Sequence, residues 1–382
     1  MAVPRVMTVL PPRERFAPGC SGVIGLLVHR LAGAGDLVVG AAVDDPFADV
    51  AFRAVPRAWL PISGALRGGA LGGAGRYAAG VARLVREIGP DMVEIHNRPD
   101  IAWALARRFP RLRMVLFLHN DPPAMRGARK PGQRAAIARR MRVVAVSDWV
   151  RGRFLDGVSE DVPGGAGLAG RVEVAANCID LASLPAPLPP EARERVILFA
   201  GRVVADKGAD SFVAACGMVL PELPGWRAVM IGADRFGADS PETPFLAALR
   251  PAARAAGVEL AGYLPHRRVA EAMARAAILV VPSRWPEPFG VVALDGMAGG
   301  AALIVAPRGG LPDVVGEAAL QAEPDPPAML AAAIRRLARS PEERAEFSAR
   351  GLARVQAFDR PAARMRLEAL RRRVLEEAVP SG

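Results

Sequence analysis

The 382-residue sequence has few of the residues that mark several common classes of protein. Its three cysteines, Cys20, Cys178 and Cys216, are odd in number, far apart and without metal-ligand spacing, so neither a disulfide framework nor a zinc site is indicated. No apolar run approaches the ~18 residues that a membrane-spanning helix needs. The N-terminal segment carries Arg5 within its apolar run and lacks a signal-peptide pattern. We therefore expect a soluble protein of a reducing, cytoplasmic compartment.

Motifs of several enzyme and binding classes are also missing. No predicted strand is followed by Gly-x-Gly-x-x-Gly, which argues against a nicotinamide-dependent oxidoreductase. No Asp-x-Asp pair indicates a metal site, so we expect neither a metal nor a cofactor. Aromatic residues make up 5% of the chain, and no nucleic-acid-binding motif is recognisable. A basic nucleic-acid-binding protein is therefore the least favoured interpretation.

Positive charge is abundant and unevenly distributed. The chain has 50 basic and 39 acidic residues, and all the basic residues except Lys130 and Lys207 are arginines. Residues 98–153 hold 14 basic residues against three aspartates. Such a field attracts phosphate-rich partners, such as an anionic membrane or an acidic glycolipid. An arginine-rich genome would explain the choice of arginine but not its clustering, and both interpretations stay open.

Short apolar runs alternate with helical stretches along the chain, which predicts parallel sheets with crossover helices. The clearest strands of the first half are Val6–Leu10, Met92–His96 and Met114–His119. After a proline-rich segment the alternation restarts with Val196–Phe199, and a buried strand is predicted over Ile278–Val281. The fold class is therefore α/β, with two doubly wound domains that face each other across a cleft.

Domain boundaries follow from the proline-rich segment, which cannot form a helix interior or a central strand. We predict an N-terminal domain over residues 1–182, a linker over 183–193 and a C-terminal domain over 194–358. A final charged helix over 359–382 would pack back on the first domain. Ligands of such sheets bind outside the carboxyl ends of the strands.

Two features at strand ends in the first half are candidates for function. A glycine-bearing turn ends at Gly22 before a helical run, and helix N-terminal amides can bind an anion. Two predicted strands end in His-Asn, at His96 and His119, and the chain has four histidines in total. A lone histidine is usually a structural group, but placement at a strand end favours a functional role for His119.

The second half opens with Gly201-Arg202-Val-Val-Ala-Asp-Lys207-Gly208 after its first strand. Two cations, Arg202 and Lys207, suit a diphosphate that must be neutralised as it leaves. A compact ammonium in a chain that otherwise uses arginine indicates a specific demand at Lys207. A solvated surface pair is the alternative.

The richest segment is Pro282-Ser-Arg-Trp-Pro-Glu287-Pro-Phe289-Gly290, followed by a helix that carries Asp295. A buried strand ends here, a loop presents Glu287, and a helix begins at Gly290. The helix amides would bind phosphate, and the two carboxylates could hold sugar hydroxyls. Glu287 has an alternative as an acidic group that stabilises a helix N-terminus.

In this order and spacing, the segments resemble glycosyltransferase family 4, the retaining enzymes of the two-domain GT-B fold. The resemblance spans nearly the whole chain and is strongest over Val196–Pro312. Gly262-Tyr-Leu-Pro265 and Gly309-Gly310 also fit. The segments 94–99 and 118–122 resemble members that build lipopolysaccharide core or other surface polysaccharides.

The resemblance implies roles for the phosphate-binding residues. Arg202 and Lys207 would bind the donor diphosphate, helped by amides near Gly22 and by the backbone of Phe289, Gly290 and Val291. Departure of the diphosphate would need no metal, and no protein nucleophile is assigned.

The resemblance also implies roles around the sugar and the nucleoside. Glu287 would contact the hydroxyls of the transferred sugar, and His119 would lie near that sugar. The loop at Tyr263 and Leu264 would meet the base through backbone groups. Asp295 stands where the family has a glutamate on the ribose, which is a departure by one methylene.

The predicted activity is retaining transfer of a sugar from a nucleotide donor, UDP-linked glucose or N-acetylglucosamine, to a lipopolysaccharide-core or other surface glycan. The basic first domain would recognise a phosphorylated or lipid-linked acceptor and contact the anionic inner face of the membrane peripherally. A nucleotide-sugar 2-epimerase of the same fold is the alternative, and no nucleic-acid partner is expected.

Overall fold

The computed structural model describes residues 5–56, 73–158, 165, 167–235, 237 and 239–377. They form two compact units. The first contains the described residues up to Cys178 together with those from Arg360 onward, and the second runs from Ile179 to Asp359. Within the described residues, no helix is both long enough and apolar enough to cross a bilayer.

The first unit is built on a parallel sheet of seven strands in the order β3-β2-β1-β4-β5-β6-β7. The strands are β1 Val6–Val9, β2 Asp36–Gly40, β3 Ala51–Ala54, β4 Met92–His96, β5 Arg113–Leu118, β6 Arg142–Ala145 and β7 Val172–Val174. The helices are α1 Val23–Leu31, α2 Gly73–Ile88, α3 Pro99–Arg108, α4 Pro131–Arg140, α5 Asp148–Leu155 and, from the far end of the chain, α13 Arg360–Glu376.

Helix α13 completes the core of the first unit. Its apolar side chains Leu367, Leu370 and Val374 pack against buried strand residues that include Val6 and Met92. A parallel sheet must be covered on both faces, so its strands are largely apolar and need a helix on each side. The helix that covers this face is therefore supplied by residues far away in sequence.

A buried ionic cluster fixes the position of α13. The guanidinium of Arg371 donates to both carboxylate oxygens of Glu94 at 2.8 Å and to those of Asp36 at 2.9 and 3.0 Å. Thr8 also donates to Glu94, at 3.2 Å. Both carboxylates are almost fully buried, so the interaction with Arg371 compensates their loss of hydration.

The second unit has a parallel sheet of six strands in the order β10-β9-β8-β11-β12-β13. The strands are β8 Glu194–Ala200, β9 Arg227–Ile231, β10 Val258–Gly262, β11 Ala276–Val281, β12 Ala302–Val305 and β13 Ala319–Gln321. The helices are α6 Ala209–Val219, α7 Pro244–Ala255, α8 His266–Arg275, α9 Val291–Ala298, α10 Leu311–Val315, α11 Pro327–Arg339 and α12 Pro341–Val355.

The segment predicted as a linker, residues 183–193, belongs to the second unit. Leu188 donates its backbone N–H to Ala274, and the Arg193 side chain donates to the carbonyls of Ala274, Ala276 and Gly299. The change of unit falls earlier, between residues 178 and 179. Proline content correctly indicates irregular structure, but it carries no information on these long-range hydrogen bonds.

Candidate active site

The candidate site of the second unit lies where the strand order of its sheet reverses. β8 has on one side β9, the next strand in the chain, and on the other β11, which comes later. Ligands of doubly wound sheets bind at this point, outside the carboxyl ends of the two strands. The loops that leave β8 and β11 here are residues 201–208 and 282–290, which hold half of the predicted donor-site residues: Arg202, Lys207, Glu287, Phe289 and Gly290.

Lys207 and Glu287 meet across these two loops. The Lys207 ammonium is paired with Oε1 of Glu287, and the Ser283 hydroxyl donates to the same oxygen at 2.6 Å. The side chains of Lys207 and Glu287 are 25% and 11% exposed. Oε2 of Glu287 accepts no hydrogen bond from any described residue. The cluster thus offers a carboxylate oxygen and the remaining N–H groups of Lys207.

Arg284 ties the loop after β11 to its surroundings. Its guanidinium pairs with Asp210 on α6 at 2.6 Å and with Asp325 at 2.5 Å. The backbone N–H groups of Arg284 and Trp285 both donate to the carbonyl of Asp206, at 2.9 and 3.0 Å. Asp206 precedes Lys207, so these hydrogen bonds fix the loop that carries Lys207 against the loop that carries Glu287.

Two glycines allow the loops to approach each other closely. A Cβ at Gly208, where φ is +68°, would lie 2.0 Å from the carbonyl oxygen of Pro282. A Cβ at Gly309, where φ is +63°, would lie 2.2 Å from the carbonyl oxygen of Glu287. Both positions also favour glycine because their backbone is left-handed. Glycine at these positions therefore permits the geometry around Glu287.

Helix α9 begins directly after this loop. Gly290 is its N-cap with φ of +91°, and the Ala293 N–H donates to the Gly290 carbonyl at 2.9 Å. The amide of Val291, the first helical residue, has no carbonyl four residues back in the helix to bind. Phe289 is buried and packs edge-on against Phe358, with ring centroids 6.0 Å apart. Asp295 lies one turn further, with Oδ2 3.6 Å from Nε2 of His266. The predicted ribose carboxylate therefore has a neighbouring imidazole.

The other predicted donor contacts lie on neighbouring strand ends. Arg202 is half-buried, and its guanidinium forms no hydrogen bond or ion pair with another described residue. Tyr263 follows β10 and is 38% exposed. It lines a cavity of about 190 Å³ together with Val203 and Gly232. Leu264 is half-buried and lies outside that lining.

His119 belongs to the first unit, where it follows β5. Its Nε2 lies 3.0 Å from Nδ1 of His96, the last residue of β4, and both rings are buried. We call His96 and His119 the histidine pair. Burial lowers the pKa of His96 to about 3, and the Arg371 charge lowers it as well. Burial lowers the pKa of His119 well below its ordinary value, and the neighbouring His96 lowers it further. Both imidazoles are therefore neutral at physiological pH.

In the structure, the backbone amides of the turn at Gly22 contact a carboxylate of the chain itself. The Glu14 carboxylate accepts from the backbone N–H of Gly25 at 2.9 Å, and the Gly22 amide also stabilises it. Burial raises the pKa of Glu14 while these amides oppose the shift. The amides predicted to bind the donor diphosphate thus face a carboxylate of the same chain.

Sequence reasoning misses three contributors to these sites. Ser283 is visible only as part of a Pro-Ser dipeptide, and its contact with Glu287 depends on the loop conformation. Glu14 has no local signal, because its partners lie eight and eleven residues away. Asn97, whose Oδ1 accepts the N–H of His119 at 3.1 Å, is visible as a residue after a strand, but its left-handed backbone conformation is not. Within the described residues, no group of His, Cys, Asp and Glu side chains is arranged to hold a metal ion.

Two family models match consecutive parts of the chain. Residues 20–183 match the model described as Glycosyltransferase Family 4, and residues 183–354 match the model described as Glycosyl transferases group 1. The two matches together run through residues 20–354. They meet at residue 183, close to the change of unit in the structure.

Individual proteins resemble the chain more distantly. A D-inositol 3-phosphate glycosyltransferase of Kineococcus radiotolerans is 30% identical over 71% of this chain and 66% of its own length. The chain spans less than two thirds of the first curated relatives that it matches, with shares of 61%, 30% and 37%.

Two solved structures share the fold over nearly the whole chain. The Anabaena HepE structure in complex with UDP and glucose has a TM-score of 0.72 at 17% identity, covering 97% of this chain and 100% of that one. Sucrose-phosphate synthase from Thermosynechococcus elongatus has a TM-score of 0.74 at 19% identity, covering 97% and 99%. The α/β fold with two Rossmann-like domains is thereby confirmed as the GT-B fold.

Proposed function

The chain belongs to glycosyltransferase family 4, and from that premise we propose that it transfers a hexose from a UDP-sugar to a surface-glycan acceptor with retention of configuration. Glucose and N-acetylglucosamine are the sugars proposed, and lipopolysaccharide core is the proposed acceptor class. A structural neighbour in complex with UDP and glucose supports this donor class.

The observation that carries the proposal is the cluster of Lys207, Glu287 and Ser283 at the strand-order reversal of the second sheet. Oε1 of Glu287 is occupied by its two partners, so its Oε2 is the atom that accepts a hydrogen bond from a sugar hydroxyl. Lys207 has three N–H donors, and the pair with Glu287 uses one of them. The remaining donors are free for the diphosphate.

Transfer builds negative charge on the departing diphosphate while the sugar becomes oxocarbenium-like. In the proposed mechanism, Lys207 and Arg202 neutralise this charge, and the amides at the start of α9 donate to phosphate oxygens. Tyr263 and Asp295 contact the nucleoside, and His119 lies near the sugar. The acceptor oxygen attacks the anomeric carbon on the same face from which the diphosphate departs, and a leaving phosphate oxygen takes its proton, so neither a protein nucleophile nor a protein base is required.

Thermal stabilisation by UDP, GDP, ADP, UDP-glucose, UDP-N-acetylglucosamine and NAD at matched concentrations tests the donor site. A ligand at one hundred times its Kd adds about 2.7 kcal/mol to the free energy of unfolding. We expect stabilisation by UDP and one UDP-sugar, and its loss in Arg202→Ala. Arg235→Ala, at an exposed position, is the control. Stabilisation by NAD alone would overturn the proposal.

Acceptor recognition is proposed for the basic surface of the first unit. Many basic residues of 98–153 serve the protein itself, as Arg134 does with four backbone hydrogen bonds and Arg153 with Asp121. Five arginines are exposed and have no described ion-pair partner. They are Arg107, Arg108, Arg111, Arg126 and Arg129. We propose that these side chains bind the phosphates of a glycolipid acceptor and those of an anionic, cytoplasmic membrane face.

Sedimentation with vesicles tests this surface. We expect binding to vesicles that contain anionic phospholipid, release at high salt, and no binding to neutral vesicles. Arg107→Glu with Arg108→Glu should abolish sedimentation, whereas Arg267→Glu with Arg268→Glu, on the second unit, should not. Binding that persists in high salt would contradict electrostatic docking.

A further inference from the structure

Two buried imidazoles lie side by side at the carboxyl edge of the first sheet, and the proposed donor site uses only one of them. Nδ1 of His96 and Nε2 of His119 are 3.0 Å apart. The His96 ring also stacks on Phe117, with centroids 4.6 Å apart and planes within 2° of parallel. The orientation of His96 is therefore fixed by packing, and that of His119 depends on His96.

Asn97 holds the backbone of His119 at the same place. Its side-chain Oδ1 accepts the N–H of His119 at 3.1 Å, and its own N–H donates to the carbonyl of Phe117 at 2.7 Å. Asn97 has φ of +56°, the left-handed region that non-glycine residues rarely adopt. Strain of this kind persists where the surroundings hold it, and it concentrates at functional sites.

The hydrogen bond between the two rings needs one proton. Since burial keeps both rings neutral, one nitrogen of the contact carries a hydrogen and the other accepts it. Nδ1 of His119 and Oδ1 of Asn177 are both buried without a hydrogen bond of standard geometry, and the Asn177 side chain favours a protonated ring. A hydrogen on Nδ1 of His119 serves that acceptor, which leaves Nε2 of His119 to accept from His96.

We propose that His96 is a positioning residue that donates to His119, fixes its neutral tautomer with the hydrogen on Nδ1, and holds the ring for the donor sugar. The tautomer follows from the geometry of the first unit alone. The claim that His96 holds the His119 ring for the donor sugar rests on the proposed function.

The charged groups around the histidine pair belong to the elements packed against it. Both rings line a cavity of about 40 Å³, together with the four charged side chains Asp36, Glu94, Arg366 and Arg371. The Arg371 charge adds to burial in lowering the pKa of His96. The carboxylates of the cluster are held by Arg371. Protonation of the pair would add positive charge beside an arginine, so the neutral state is stabilised.

Nitrogen-15 NMR of the histidine side chains tests the tautomer in the full chain. We expect His119 to show a protonated Nδ1 and an unprotonated Nε2 at pH 7, with no change on mild acidification. His96→Phe keeps a ring on Phe117 but removes the donor, so the His119 signals should move toward a mixture of tautomers. Protonation at Nε2 of His119 in the unmodified chain, or unchanged signals in His96→Phe, would overturn the assignment.

Transfer kinetics test the positioning role. His96→Asn places an amide N–H near the former Nδ1 and should retain activity, whereas His96→Phe should lower kcat roughly tenfold to one-hundredfold, because small misplacements of a contact cost this much. The Kd for UDP should stay unchanged in both. His96→Phe should also move the acid limb of the pH profile upward, since His96 helps to lower the pKa of His119.

The control is His29→Phe, which removes the contact with the exposed Asp49 and keeps stacking on Phe47. It should leave kcat and the pH profile unchanged. If the unmodified chain fails to bind UDP, the proposed function fails, and the NMR result still decides the tautomer. If it binds UDP and transfers sugar, but His96→Phe is equally active with the same pH profile, the positioning role is wrong.

Discussion

Replacement of Lys207 by methionine removes a charge and keeps the aliphatic stem. The Lys207 ammonium is paired with Glu287, whose side chain is 11% exposed. Its loss leaves Oε1 of Glu287 with Ser283 as its described partner. Because a hydrogen bond to a charged group is lost, the free energy of unfolding should fall by about 1.5 to 3 kcal/mol. Loss of one preorganised donor to the developing phosphate charge lowers kcat by about 10² to 10³.

The chain supplies its own matched control, because Lys130 is the other lysine and is exposed. Steady-state transfer of radiolabelled sugar would be measured for Lys207→Met and Lys130→Met, with circular dichroism to confirm the fold. We expect kcat to fall for Lys207→Met and to stay unchanged for Lys130→Met. Equal, small effects on the two variants would remove Lys207 from the reaction.

Three further outcomes follow from packing and charge. Gly309→Ala would place a methyl group about 2.2 Å from the Glu287 carbonyl and should weaken UDP-sugar binding measured by calorimetry, whereas Gly132→Ala, with nothing within 4 Å, should not. Arg371→Met leaves the buried carboxylates of Asp36 and Glu94 unpaired and should lower the free energy of unfolding, measured in urea, by about 3 to 5 kcal/mol. The control is Arg373→Met, which removes an exposed arginine that pairs with Glu173 and should lower it by at most about 1 kcal/mol. Burial lowers the pKa of His96 to about 3, so below about pH 6.5 the unfolded chain binds more protons than the folded chain. The free energy of unfolding should therefore fall by about 1.4 kcal/mol per pH unit for each buried histidine. A urea midpoint that stays constant from about pH 6.5 to about pH 4.5 would contradict this.

The sequence predicts the sheets well where strands are buried on both faces. Apolar runs such as Ile278–Val281 are visible because a parallel strand covered by helices needs no polar face. Strand β3 is not predicted, since Ala51-Phe-Arg-Ala54 lies mostly exposed at the sheet edge and has no alternation. Strand β13 is not predicted either, since Ala319-Leu-Gln321 is a short edge strand with one buried residue.

Site residues are predictable where rarity or position singles them out. Lys207 stands out in a chain of arginines, and Glu287 stands in a loop after an apolar strand. Contacts that depend on tertiary structure are not predictable. Glu14 reaches the amides of α1 because a loop folds back, and Arg371 reaches Glu94 across 277 residues of chain. Residue type gives the available chemistry, and the loop conformation decides which groups meet.

The place of α13 in the first unit sets an order of events during synthesis. The ribosome releases the seven strands of the first unit long before α13, which follows the whole of residues 179–359. Until then Asp36 and Glu94 lack their arginine, and the strand face at Val6 and Met92 lacks its cover. The second unit is contiguous and can fold first. The nascent first unit therefore needs protection from aggregation until translation reaches α13, and a chain truncated after Cys178 should be insoluble.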